Sequence, residues 1–244
     1  MSEKTTIEWT ESTWNPVTGC AKVSAGCLHC YAEAFAERFR GVRGHPYEQG
    51  FDVKLWPERV DLPLKWKAPR SIFVNSMSDL FHSDVPDDFI RRVFETMNRA
   101  ERHIFQVLTK RPQRAVELSP SLTWTSNIWM GVTVERQEYV SRLDFLVKIP
   151  AAVRFVSCEP LIGPVKLKMD GLDWVIAGGE SGLHARRMDP KWVQGIREQC
   201  AAANVPFFFK QWGNFDETGR KVGKAKAGRV LDGRTWDGLP QLKV

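Results

Sequence analysis

What most constrains this chain is one texture repeated along it: a short apolar, β-rich run, then polar turn residues, then usually an amphipathic helical stretch. The runs are Ile72-Phe73-Val74, Ile104 to Leu108, Ile128 to Val132, Val153 to Val156, Trp174 to Ala177 and Phe207-Phe208-Phe209. Continuous apolar runs suit strands covered on both faces, the condition of a parallel sheet. Between them, Asp87 to Arg102 places Phe89, Ile90, Val93, Phe94 and Met97 on one helical face, with Asp84 and Pro86 ahead as start signals. Gln137 to Val147 and Pro190 to Ala203 read similarly, and a further strand is expected around Thr13 to Gly19. The fold class expected is α/β, a partial (β/α) TIM-like barrel of about seven strands. A closed eight-unit barrel needs roughly 250 residues, and two stretches of this 244-residue chain fall outside the pattern. Residues 41–70 and 214–244 read as loop-rich additions, so the expected organisation is a barrel over 1–213, with an irregular insertion at about 41–70, and a basic extension over 214–244.

No apolar run approaches the ~18 residues of a membrane span, and Met1 to Thr6 lacks the apolar stretch of a secretory signal. The expectation is a soluble chain in the reducing cytoplasm. Thirty-five basic residues against 29 acidic ones leave a net charge of +6, which favours polyanionic partners. Of five cysteines, Cys20, Cys27 and Cys30 crowd together while Cys158 and Cys200 stand alone. An odd number of thiols in an unsecreted chain argues for metal binding or reactivity over disulfides.

Cys20, Cys27 and Cys30 follow the first expected strand and run directly into the helical stretch Tyr31 to Ala36. Three thiolates close a four-coordinate zinc site only if His29 or His45 joins them, whereas three suffice for a 4Fe–4S cluster with one open iron. An open iron can chelate the amino and carboxylate groups of S-adenosylmethionine, whose one-electron cleavage releases a 5′-deoxyadenosyl radical. A three-cysteine loop after the first strand of a partial barrel resembles the radical S-adenosylmethionine (radical SAM) superfamily. Further segments carry a narrower likeness: Thr18-Gly19-Cys20, Asn75 to His82, Leu108 to Pro112, Gly131 to Glu135, Ser157 to Leu161 and Gly178 to Gly182. They resemble a phage-associated family related to spore photoproduct lyase, over nearly the whole chain. The departure is six residues between the first two cysteines, where the superfamily usually has three.

The resemblance implies a 4Fe–4S cluster on Cys20, Cys27 and Cys30, and S-adenosylmethionine as second cofactor. It places His29 and Tyr31 near the cofactor, Ser78 and Asp79 on it, and Lys110 at its carboxylate. It also implies a lyase-like repair or modification reaction on DNA, served by a reductase or flavodoxin-type electron donor. The residues have plainer readings. Ser78 and Asp79 are ordinary turn and cap residues, and Tyr31 can simply pack the first helix. Thr133, Glu135 and Glu180 follow strands, where barrel chemistry sits, although glutamates there can also be buried against Arg186 or Arg187. Gly178 and Gly179 would admit close approach of a ligand. Cys158, at a strand end, is a candidate hydrogen-atom donor or else a buried hydrophobe, while Cys200 is expected to be structural.

Ten tryptophans, several beside Lys or Arg, offer stacking surface interleaved with positive charge. Lys65, Trp66, Lys67 and Arg70, with Arg111 and Trp212, are the candidate nucleic-acid contacts, joined by the basic run Arg220 to Arg229. The leading expectation is a radical enzyme acting on a nucleic-acid base. The alternatives are a zinc-binding nucleic-acid adaptor without catalysis, and a radical enzyme acting on a peptide or small molecule.

Overall fold

The structure, a computed structural model, describes residues 5–241. Met1 to Lys4, most of the segment read above for a secretory signal, and the last three residues of the basic extension lie outside them. Along the chain run β1 (Ser12–Trp14), β2 (Val17–Thr18), α1 (Tyr31–Ala36), β3 (Lys54–Leu55), α2 (Pro57–Val60) and β4 (Ser71–Val74). There follow α3 (Asp87–Arg99), β5 (Ile104–Thr109), α4 (Pro112–Leu118), β6 (Ile128–Thr133), α5 (Arg142–Leu146) and β7 (Val153–Cys158). The chain ends with β8 (Trp174–Gly178), α6 (Pro190–Ala203), β9 (Phe207–Gln211) and α7 (Lys224–Ala227). Seven strands form one sheet in the order β1-β4-β5-β6-β7-β8-β9, which is their order along the chain. Parallel neighbours in chain order, joined by crossovers, are the α/β topology of a partial (β/α) barrel. Every residue of β6 and β8 is buried, as their unbroken apolar runs required.

The chain packs as two compact units. The first comprises Met1–Val23, Cys30–Met130 and Lys148–Ala152, the second Ser24–His29, Gly131–Val147 and Val153–Val244. In the first, β1, β4 and β5 pair in parallel, with Thr13 opposite Phe73 and Phe73 opposite Gln106. The fully buried Trp14 and Phe105 meet at 5.7 Å between ring centroids. Helix α3 buries Ile90, Val93, Phe94 and Met97, each such side chain stabilising the fold by about 1.5–3 kcal/mol. Pro86 in extended conformation starts it, Asp87 and Asp88 favour its positive end, and it stops at Ala100.

In the second unit β7, β8 and β9 pair in parallel, with Val156 opposite Val175 and Ile176 opposite Phe208. The Asp189 carboxylate caps α6 by accepting from the Lys191 N–H, and Asn204 in left-handed conformation ends it. The basic extension closes along β9: Phe209 N–H donates to Trp236, Gly238 N–H to Phe207, and the Trp174 indole to Gly238.

Two elements differ from the sequence expectation. The first strand stops at Trp14, because Asn15 turns its side chain to the Met77 N–H and Pro16 has no N–H for a ladder. The chain then re-forms as β2, paired antiparallel with β3 from the insertion. The stretch 137–147 breaks into a 3-10 turn, Gln137–Tyr139, and the short α5, with Arg142 drawn inward.

Candidate functional site

In the first unit the carboxyl ends of β1, β4 and β5 gather a buried polar network. Gly19 holds φ +85° and passes so close to the Asp52 carbonyl that a Cβ would lie 2.2 Å from its oxygen. Only glycine meets both demands. Its N–H donates to Met77, Ser78 Oγ donates to the Val17 carbonyl at 2.8 Å, and the Tyr31 hydroxyl donates to Ser76 at 2.6 Å. The segment Asn75 to Asp79 is thereby laced to the one that delivers Cys20.

Asp79 is its centre. One carboxylate oxygen accepts from Phe81 N–H at 3.0 Å and Thr109 Oγ1 at 2.7 Å, the other from Lys110 N–H and Arg111 Nη1, both at 3.0 Å. Arg111 carries the network to the cysteine loop, donating through Nη1 to Cys20 Sγ at 3.3 Å and through Nη2 to the Ala21 carbonyl at 3.0 Å. Burial works against its charge, but the charges of Asp79 and Cys20 outweigh that and raise its pKa. His82, buried beside them, has its pKa lowered, first by burial and then by the Arg111 charge.

In the second unit the segment Ser24–His29 is braced from its own side. Glu135, fully buried just after β6, accepts from Ser24 Oγ at 2.5 Å and Arg142 Nη1 at 2.8 Å. The Tyr139 hydroxyl accepts from Ala25 N–H, and the Arg142 guanidinium lies over the Tyr139 ring. Gly26 packs where a Cβ would strike the Glu135 carboxylate. Glu180 is held by Arg186, through Nη2 at 2.5 Å, Nε at 2.8 Å and the backbone N–H at 2.7 Å, and Arg186 also donates to the Ala25 carbonyl. Cys27 Sγ lies 3.5 Å from Ser24 Oγ, and the His29 ring faces His184 at 5.8 Å. Thr133 is buried with its Oγ1 unpaired.

Cys20, Cys27 and Cys30 are half-buried and in no disulfide. Among the described residues, no three His, Cys, Asp or Glu side chains converge in metal-binding geometry. What fits a 4Fe–4S cluster is the donor set: three soft thiols in one loop, with an arginine N–H directed at the first sulfur.

Three groups of sequence-predicted residues stand apart from this network. Trp212 is buried, its ring against Phe209 and its indole N–H donating to Val230, so it offers no face to a base. Cys158 is fully buried and desolvation pushes its thiol pKa up, as in the plainer reading of it as a small buried hydrophobe. Lys65, Trp66, Lys67 and Arg70 precede β4, and Trp66 packs on His103, which precedes β5. They therefore lie at the amino end of these strands. At about 3.3 Å per residue, a six-residue strand puts roughly 15–20 Å between them and the polar network. Sequence reading passed over Arg142, Tyr139, Glu159 and Lys210, whose partners are set by the fold and leave no local signal.

The family model described as "Protein of unknown function (DUF5131)" matches residues 4–240. No curated protein matches. A solved structure titled "Spore photoproduct lyase complexed with dinucleoside spore photoproduct" superposes with a TM-score of 0.44 at 10% identity over 75% of this chain. The match spans 58% of that structure's own length.

Proposed function

We propose that this chain, which belongs to the DUF5131 family, is a radical S-adenosylmethionine enzyme acting on a nucleic-acid base. The observation that carries the reading is the cysteine loop. Three cysteine thiols stand in eleven residues after the first strand, and ion-paired side chains hold the loop's backbone. Cys20, Cys27 and Cys30 would hold a 4Fe–4S cluster, which together with S-adenosylmethionine supplies one-electron cleavage of a sulfonium to a deoxyadenosyl radical.

The chain's own residues position and shield this centre. Arg111 directs an N–H at Cys20 and Asp79 fixes Arg111, while Glu135 and Arg186 hold Ser24 and Ala25. Asp79, Glu135 and Glu180 spend their oxygens on these partners and act as positioning residues. His29, Tyr31 and Lys110 are the side chains proposed for S-adenosylmethionine. Phosphate contacts fall to the basic extension: exposed Lys221 donates to the Leu183 carbonyl in the loop after β8, with Lys224 and Lys226 following on α7. A flavodoxin-type or reductase partner would deliver the electron, and the reading places the enzyme in the cytoplasm. The membrane plays no part in it, and among the described residues no helix is long and apolar enough to cross one. The test is anaerobic reconstitution with iron and sulfide, followed by detection of 5′-deoxyadenosine after reduction. Stoichiometric zinc without charge-transfer absorption would replace the reading with the zinc adaptor.

A further inference from the structure

A second polar group sits at the carboxyl ends of three adjacent strands of the second unit. Glu159 follows β7 directly, Gly178 ends β8, and Lys210 and Gln211 end β9. Lys210 Nζ donates to both Glu159 oxygens, at 2.6 and 2.9 Å, and Gln211 Nε2 donates to Glu159 Oε1 at 3.3 Å. Both ionic side chains reach solvent, Lys210 with 12% and Glu159 with 19% of its surface. Gln211 is 3% exposed and its Oε1 has no hydrogen-bond partner. A buried acceptor left unpaired is destabilising and calls for an explanation, and a partner arriving from outside the chain is one.

Gly178 forms the floor between them. A Cβ there would meet Lys210 Cβ at 3.4 Å, the Gln211 carbonyl oxygen at 3.5 Å and Glu159 Cδ at 3.6 Å, ordinary contact distances. The space of a methyl group is therefore left open against the ion pair. Gly179 differs: a Cβ there would lie 2.0 Å from the Trp212 carbonyl oxygen, so the chain itself makes that close approach.

We propose that Glu159, Gly178, Lys210 and Gln211 form a binding site for the edge of a nucleobase, and that the base is the substrate's. The ammonium has three N–H groups, two of them spent on Glu159, which leaves one to donate. The carboxylate retains accepting capacity beyond its three bonds, and Gln211 Oε1 adds an unpaired acceptor. A ligand edge with an acceptor beside an N–H donor, as every base presents, satisfies both. The pair is neutral overall, so a phosphate would face the Glu159 carboxylate and gain nothing, and the missing side chain at Gly178 admits a flat ring. Carboxyl ends of parallel strands are where such ligands bind. The choice of a substrate base rests on the reading given above; the hydrogen-bonding site does not.

The experiment uses the purified full chain, with equilibrium dialysis and saturation-transfer NMR against thymidine, deoxyguanosine, adenosine and inorganic phosphate. Deoxynucleosides should bind and phosphate should not. Gly178→Ala, which fits without a clash, should weaken deoxynucleoside binding at least tenfold at unchanged thermal midpoint; Lys210→Met should weaken binding as much, with a lowered midpoint because Glu159 loses its counter-ion. Unchanged binding in both variants overturns the proposal, and so does binding of adenosine alone, which would make this the cofactor's base site. Iron content measured on the same samples separates the two readings. Nucleoside binding by a chain that assembles no cluster supports this site while refuting the radical reading, and a cluster-bearing chain that binds no nucleoside refutes this site alone.

Discussion

Replacing Asp79 by Asn tests whether the carboxylate is a structural keystone or a free cofactor ligand. Its two oxygens take four donors, and its side chain is 6% exposed against 15% for its partner Arg111. Asn turns one acceptor into a donor. Wherever that NH2 points, it confronts two donors, either Lys110 N–H with Arg111 or Phe81 N–H with Thr109. Breaking a largely buried ion pair from one side costs about 3–5 kcal/mol, because the remaining charge is left uncompensated. For a chain of this size, where 1 kcal/mol shifts the melting temperature by about 2–4 °C, the loss is on the order of 6–20 °C. Arg111→Met should cost a similar amount alone, and the double variant D79N/R111M much less than the sum, since the unpaired charge is gone. The assay is thermal and urea unfolding of the metal-free chain, so no cofactor enters. A melting temperature within about 2 °C of the parent for Asp79→Asn, or strict additivity in the cycle, would refute the keystone role.

Three more outcomes follow from the same geometry. Gly26→Ala pushes a Cβ into the Glu135 carboxylate and should reduce iron incorporation while leaving far-UV circular dichroism unchanged; parental iron content would show the brace to be dispensable. His82 and His103 both have lowered pKa values, with burial the leading cause. The unfolded chain therefore binds more protons, so their contribution is complete above the unfolded value of about 6.5 and lost as pH falls through the folded values. Melting temperatures should be flat from pH 8 to 7 and decline below pH 6.5, with a shallower decline in His82→Asn; the same slope in that variant would exclude His82. Charge reversal at Lys221 and Lys226 should flatten the salt dependence of oligonucleotide binding, and reversal at Lys65 and Lys67, at the other end of the strands, should leave it unchanged.

Six of the seven sheet strands were legible because strands covered on both faces are largely apolar, β1 with its Ser12-Thr13-Trp14 was placed only approximately, and α6 was legible because its start and its apolar spacing agree. The pairing of β2 with β3 was not. Each has two residues, too short for any periodicity, and their partnership is fixed by Asn15 and Gly19 turning the chain. Within the site, the polar residues after each strand were visible as such, yet their roles depended on partners. Glu180 looked equally suited to a ligand or to burial against an arginine, and only the fold brings Arg186 onto both its oxygens. Trp212 stands two residues after Lys210 in sequence and reads as surface, but the end of β9 turns its ring onto Phe209. Lys65 to Arg70 carry the right charge at the wrong end of the strands, and composition has no information about ends.

The central claim is that Cys20, Cys27 and Cys30 act together on one iron–sulfur cluster, and metal analysis tests it most directly. The chain and its three single Cys→Ala variants would be reconstituted anaerobically with iron and sulfide, desalted, and assayed for iron, sulfide, zinc and charge-transfer absorption. The account predicts about four irons and four sulfides in the parent, bleached by air, and loss of the cluster in every variant. Stoichiometric zinc with no charge-transfer absorption, or parental iron in any one of the three variants, would contradict it.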